Sequence, residues 1–281
     1  MNVRIAAPLS GAPRFSIMAR ALMFLGVLVL AGCAGRNDDF TVEPLRPAAV
    51  IYDEGVAAME AGRFGDAIAA FEELERHYPY SAPARAGLAL ATSAFYRSGD
   101  YEEAIVAADR FLLLYPRDEA AAEVLFLKGE SYLRQVPDIT RDQEMAYQAL
   151  LAHEELVERF PNSPFATQAR LNIVAVRDQL AGQEMLIGRY YLERRDYVAA
   201  VNRFRTVVTE YQNTRHVEEA LFRLTEAYLS MGLTVEAQTA AAVLGHNFPD
   251  SPWYKDAYDL LGAGGLSPNR NRGSWLSRIF G

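Results

Sequence analysis

Four histidines, one cysteine and several adjacent pairs of carboxylates are the side chains with which this 281-residue chain would have to do catalysis or bind a metal. His153-Glu154-Glu155 begins like the helix of a zinc protease, but the second histidine of that motif would fall at Val157. His77, His153, His216 and His246 are widely separated, so convergence on one ion is not expected. Glu102-Glu103 and Glu218-Glu219 read as solvated helix faces rather than acid and base partners. The glycines of residues 262–265 have no strand before them, as a phosphate loop would need. With Cys33 the sole cysteine, an internal disulfide and a cysteine-based metal site are excluded. No enzyme, metal or dissociable cofactor is expected.

Cys33 itself stands in an informative place. Arg14 and Arg20 precede an apolar run from Ala21 to Leu30, which is shorter than the roughly 20 residues needed to cross a bilayer but has the proportions of a signal-peptide core. The run ends in Leu30-Ala31-Gly32-Cys33, which resembles the bacterial lipobox. That resemblance implies a diacylglyceryl thioether on Cys33, cleavage before it, and acylation of the new amino group; two or more acyl chains anchor stably where one does not. An unmodified cysteine at the end of a signal sequence is the alternative. Residues 1–32 are thus expected to be a signal peptide, with Met18 and Arg20 offering a more compact start than Met1. Ala34 replaces the aspartate that the lipobox family uses for inner-membrane retention, which implies the periplasmic face of the outer membrane. Residues 33–47 are polar, contain two prolines, and read as a tether. The formal charge of -8 argues against nucleic acid as a partner.

The rest of the chain must be organised by repeats. Gly188, Tyr191, Ala200 and Phe204 lie at offsets 0, 3, 12 and 16, and Thr225, Tyr228, Ala237 and Ala241 keep those offsets. This is the spacing of the tetratricopeptide repeat, two antiparallel helices in about 34 residues. A small residue on the first helix (A) and an alanine on the second (B) let the backbones approach, while aromatic side chains fill the space around them. Gly55, Ala67 and Phe71 place a first unit, and Phe95, Gly99, Ala104 and Phe111 a second. In a third, Gly129 and Tyr132 are followed by Ala149 at offset 20 instead of 12, so eight extra residues fall in the segment RQVPDITRDQ, expected to be a surface loop. The predicted architecture is all-α: five helix pairs near 48–81, 85–118, 122–163, 165–214 and 218–251, a capping helix at 252–261, and a flexible tail at 262–281. The helix opened by Ser163-Pro164 is expected to run to about Glu193, and the fourth unit has Gln212 where a closing proline is expected.

Such an array presents a wall of A helices that suits extended or helical segments of other proteins. On the first two units that wall is expected to carry Tyr52, Val56, Met59, Ser93 and Tyr96; Val56 and Met59 fit equally well as packing against the neighbouring repeat.

The lipobox, five repeats, and the segments AADRFLLLYP (107–116), RDQ (141–143) and RYYLERRDYVAAVNRF (189–204) together resemble the BamD family, over residues 33–261. Members are lipoprotein subunits of the outer-membrane β-barrel assembly complex. The resemblance implies that the amino-terminal repeats meet the carboxy-terminal signal of unfolded barrel proteins. It also implies that later repeats hold the periplasmic POTRA region of the subunit BamA beside other subunits, with Arg141, Asp142, Arg189 and Arg195 as candidate contacts. Where members often carry His-Pro and Asp-Tyr after the second unit, this chain has Asp118-Glu119 and Ala122-Glu123. A lipoprotein that organises cell wall or a pilus or secretion machine is the alternative function.

Overall fold

The computed structural model describes residues 45–280, and Cys33 with the expected signal peptide and most of the tether lies outside them. Five antiparallel helix pairs follow one another: α1 (Ala48–Glu60) with α2 (Phe64–His77), α3 (Ala82–Ser98) with α4 (Tyr101–Leu114), α5 (Ala121–Leu133) with α6 (Glu144–Arg159), α7 (Ala166–Glu193) with α8 (Tyr197–Glu210), and α9 (Val217–Ser230) with α10 (Thr234–Asn247). Then come α11 (Pro252–Ala263) and α12 (Trp275–Ile279). The array is a tetratricopeptide-type solenoid without strands among the described residues.

One position pair explains why each pair closes. A β-carbon added to Gly55 would stand 2.5 Å from the Phe71 ring, and one on Gly188 2.5 Å from Phe204. On Gly129 it would be 2.6 Å from the ring of His153. In units two and five the same offsets hold Thr92 with Ala108 and Thr225 with Ala241, all four fully buried. A glycine thus faces a ring, and a threonine faces a methyl, so the combined volume between the helices stays nearly constant. The threonine hydroxyls are satisfied along their own helices, Thr92 donating to the Leu88 carbonyl at 3.3 Å and Thr225 to Leu221 at 3.0 Å.

Turns and ends follow from local chemistry. Gly62, Gly99 and Gly232 make the turn between helices at φ of 72°, 92° and 75°, a left-handed conformation that costs glycine nothing. The fourth unit has Arg195 there, at φ 63°. Ser81 caps α3 by accepting from the Ala84 amide at 3.1 Å, with Pro83 in the first turn. The missing proline at Gln212 is without consequence for the helix end, because Tyr211 takes the same cap geometry (φ -124°, ψ 38°) that Tyr78, Tyr115 and Phe248 take before their prolines.

The segment RQVPDITRDQ is a surface loop, with Arg134, Asp138, Thr140, Arg141 and Asp142 exposed, and its remaining side chains pin it to the array. Gln143 is buried, its amide donates to the carbonyls of Asp138 (3.0 Å) and Arg141 (3.1 Å), and its oxygen accepts from Gln179 of α7 at 2.6 Å. Ile139 lies against Gly182, where a β-carbon would come within 2.8 Å. One expectation needs correction: the tail, expected to be flexible, folds back on the array. Leu276 is fully buried in the last core cluster, the Trp275 indole donates to the Tyr228 hydroxyl at 3.2 Å, and Ser274 donates to Glu236 at 2.6 Å.

Candidate functional site

Helix α1 packs on α3 and α3 on α5, so the A helices of the first three units form a continuous row. Tyr52 and Val56 share one face of α1 at i, i+4, and Ser93 and Tyr96 share one face of α3 at i, i+3; all four are half-buried. Tyr52 leans on the core through Phe71, with ring centroids 6.4 Å apart. Tyr96 lies 5.8 Å from the Tyr101 ring, and its hydroxyl accepts from two guanidinium nitrogens of Arg134 at 3.2 Å. That hydrogen bond raises the Arg134 pKa still further, so a fixed positive charge marks this end of the row. No sequence signal marks Arg134, because its contact with Tyr96 depends on the end of α5 lying beside α3. Met59 is not on the wall: at 8% exposure it belongs to the core formed with Ile51, Phe71 and Leu74. Of its two possible roles, packing is the one it fills.

The later A helices carry different chemistry. Arg189 occupies on α7 the repeat position that Val56 and Ser93 occupy earlier, and its guanidinium donates to both oxygens of Glu219 at 3.0 and 2.9 Å. Glu219 also accepts from Arg223 (3.3 Å), which donates to Glu226 (2.9 Å) and stacks 5.4 Å from the ring of Trp253. Arg189 is therefore engaged within the chain, linking α7 to α9, whereas Arg141, Asp142 and Arg195 are exposed. Beside Arg195 the exposed Tyr190 ring is covered by Arg194 at 4.5 Å, and Val198 stands 60% exposed. The first half of the array thus presents an apolar row with phenolic hydroxyls, the second an arginine-rich corner.

The histidines do not converge. His153 fills the aromatic slot of unit three, fully buried, with Nε2 accepting from Asn172 at 3.2 Å; the proton therefore sits on Nδ1, which has no partner. Burial lowers its pKa to about 4, so it is neutral and structural. His216, lowered by burial and 3.7 Å from Asp178, packs against Gly182. Among the described residues no three metal-ligating side chains gather, and no helix is long and apolar enough to cross a membrane.

Comparison with known proteins agrees with this geometry. The family described as outer membrane lipoprotein, YfiO, matches residues 45–244. The outer membrane protein assembly factor BamD of Caulobacter vibrioides is 45% identical over 252 residues, covering 88% of this chain and 83% of that protein. BamD of Rickettsia prowazekii is 34% identical over 86% of this chain and 95% of its own length, and BamD of Neisseria meningitidis 33% identical over 82% and 91%. The chain belongs to the YfiO family of outer membrane lipoproteins, of which these BamD assembly factors are its relatives.

Proposed function

We propose that this chain is an outer-membrane protein assembly factor: a scaffold, tethered by lipid on Cys33 at the periplasmic face of the outer membrane, that works by binding polypeptides and catalyses no reaction. The row of Tyr52, Val56, Ser93 and Tyr96 carries the reading, because in a family of assembly factors a half-buried apolar and phenolic surface on adjacent A helices suits an extended segment that ends in an aromatic residue. The unfolded barrel protein is the segment's source. Arg134 at the end of that row supplies a charge for a terminal carboxylate. The arginine-rich corner with Arg195, together with Arg141 and Asp142 on the pinned loop, is the surface offered to the POTRA-bearing barrel subunit and its neighbours. Depletion of the chain tests the reading: many barrel proteins should be lost from the outer membrane. A defect in division or pili with normal barrel content would favour the cell-wall or pilus alternative instead.

A further inference from the structure

The chain's own tail reveals a second kind of docking groove. Trp275 and Leu276 sit between helix B of unit four and helix B of unit five, over helix A of unit five. Arg205 of α8 stacks 4.8 Å from the Trp275 ring, Tyr228 of α9 accepts from its indole, and Glu236 of α10 accepts from Ser274. The Thr239 hydroxyl accepts from the Asn271 amide at 3.3 Å, and Gln238 donates to the Ser267 carbonyl at 2.7 Å.

By the repeat offsets, the equivalent place between units one and two is bounded by α2, α3 and α4. A groove of about 350 Å³ lies there, floored by Leu88, Phe95, Val106 and Ala107. Phe95 corresponds to Tyr228, Glu103 to Glu236, Val106 to Thr239 and Glu72 to Arg205. Units one and four are both glycine–phenylalanine pairs and units two and five both threonine–alanine pairs, and the two grooves share Phe71 with Phe204, Leu88 with Leu221, Glu103 with Glu236 and Ala107 with Ala240. They differ in charge. Where the tail's indole meets an arginine, this groove offers Glu72; Glu75, Glu102 and Glu103 complete the rim, and its one arginine, Arg110, is bonded to Glu75. Gln238, which holds the tail backbone, is replaced by Ile105, and Val106 stands 59% exposed.

The geometry points to the α2–α4 groove as a docking site for a short segment of another protein, carrying an aromatic–aliphatic pair like Trp275-Leu276 flanked by lysine or arginine. Quasi-equivalence supplies the apolar pair, and Glu72, Glu102 and Glu103 supply the charge preference. The site is separate from the client row: Leu88, Ala91 and Phe95 lie on one side of α3, and Ser93 and Tyr96 are turned well away at 100° per residue.

The test uses the full mature chain and a labelled peptide of residues 269–280, NRNRGSWLSRIF, which has the required pair and three arginines. Fluorescence anisotropy should show saturable binding, weakened about tenfold or more when the arginines are replaced by glutamate. Glu72→Gln, which removes a rim charge without recreating the arginine of the tail groove, and Val106→Lys, both at exposed positions, should each weaken binding while leaving the circular-dichroism melt unchanged. No binding, or binding indifferent to both substitutions but lost in Glu236→Lys, where the peptide would have displaced the chain's own tail, overturns the proposal. Concentration-dependent dimerisation abolished by Val106→Lys would also overturn it, by assigning the groove to a second copy.

Discussion

Gly188 and Phe204 hold the fourth unit together by a size match that the chain writes a second way at Thr225 and Ala241. Gly188→Thr drives a β-carbon into a fixed ring, costing about 1–3 kcal/mol, and the similar helix propensities of glycine and threonine offset little of it. Phe204→Ala alone empties the slot, at about 3–5 kcal/mol. Gly188→Thr/Phe204→Ala recreates the threonine–alanine version, so a denaturation cycle should return a favourable coupling of about 1–3 kcal/mol. His153 is the third form of the same slot and makes it acid-sensitive. Its folded pKa of about 4 lies below the ordinary 6.5, so the unfolded chain takes up the proton first as pH falls. Its contribution is complete above pH 6.5 and is lost progressively toward pH 4, about 3 kcal/mol in all. His153→Phe should therefore melt with a shallower pH dependence than the wild type across that window. The sequence displayed this residue as a zinc-motif fragment; only the glycine opposite it identifies the ring as a spacer.

At the scale of elements, the turn between α7 and α8 carries backbone strain at an exposed arginine. Arg195 holds a left-handed conformation that glycine holds in three other units, so Arg195→Gly should raise the unfolding free energy by about 1 kcal/mol. If the exposed arginine serves the barrel subunit, the same substitution should weaken that pull-down. The helix pairs were legible in sequence because their signal is local: small residues at offsets 0 and 12 and rings around them are what two close helices require. The tail was not, because its glycines, serines and asparagines read as flexible, while its order comes from Trp275 reaching Arg205 and Tyr228, far back in the chain. The pinned loop was hidden for the same reason, its anchor being the Gln143 amide meeting Gln179 on a helix not adjacent in sequence. Gln143→Ala should accelerate amide exchange across residues 134–142 and leave α1 to α4 unchanged.

For the whole molecule, lipid attachment and repeat stacking are expected to be separable, because the repeats' own side chains form the core clusters of the described residues. Cys33→Ser should accordingly release the chain from membranes with an unchanged melting curve. Along the array, an apolar and phenolic row on α1 and α3 gives way to an arginine-rich corner at the end of α7; in the proposed function the first takes the client and the second the barrel subunit. The most direct measurement is photocrosslinking from Tyr52 and Tyr96, each replaced by a photoreactive phenylalanine in cells assembling barrel proteins. Docking of the client on the α1–α3 row predicts crosslinks to the carboxy-terminal segment of the unfolded client at both positions, and to the barrel subunit from Arg195 replaced in the same way. Client crosslinks that appear only at Arg195, with Tyr52 and Tyr96 silent, would contradict it.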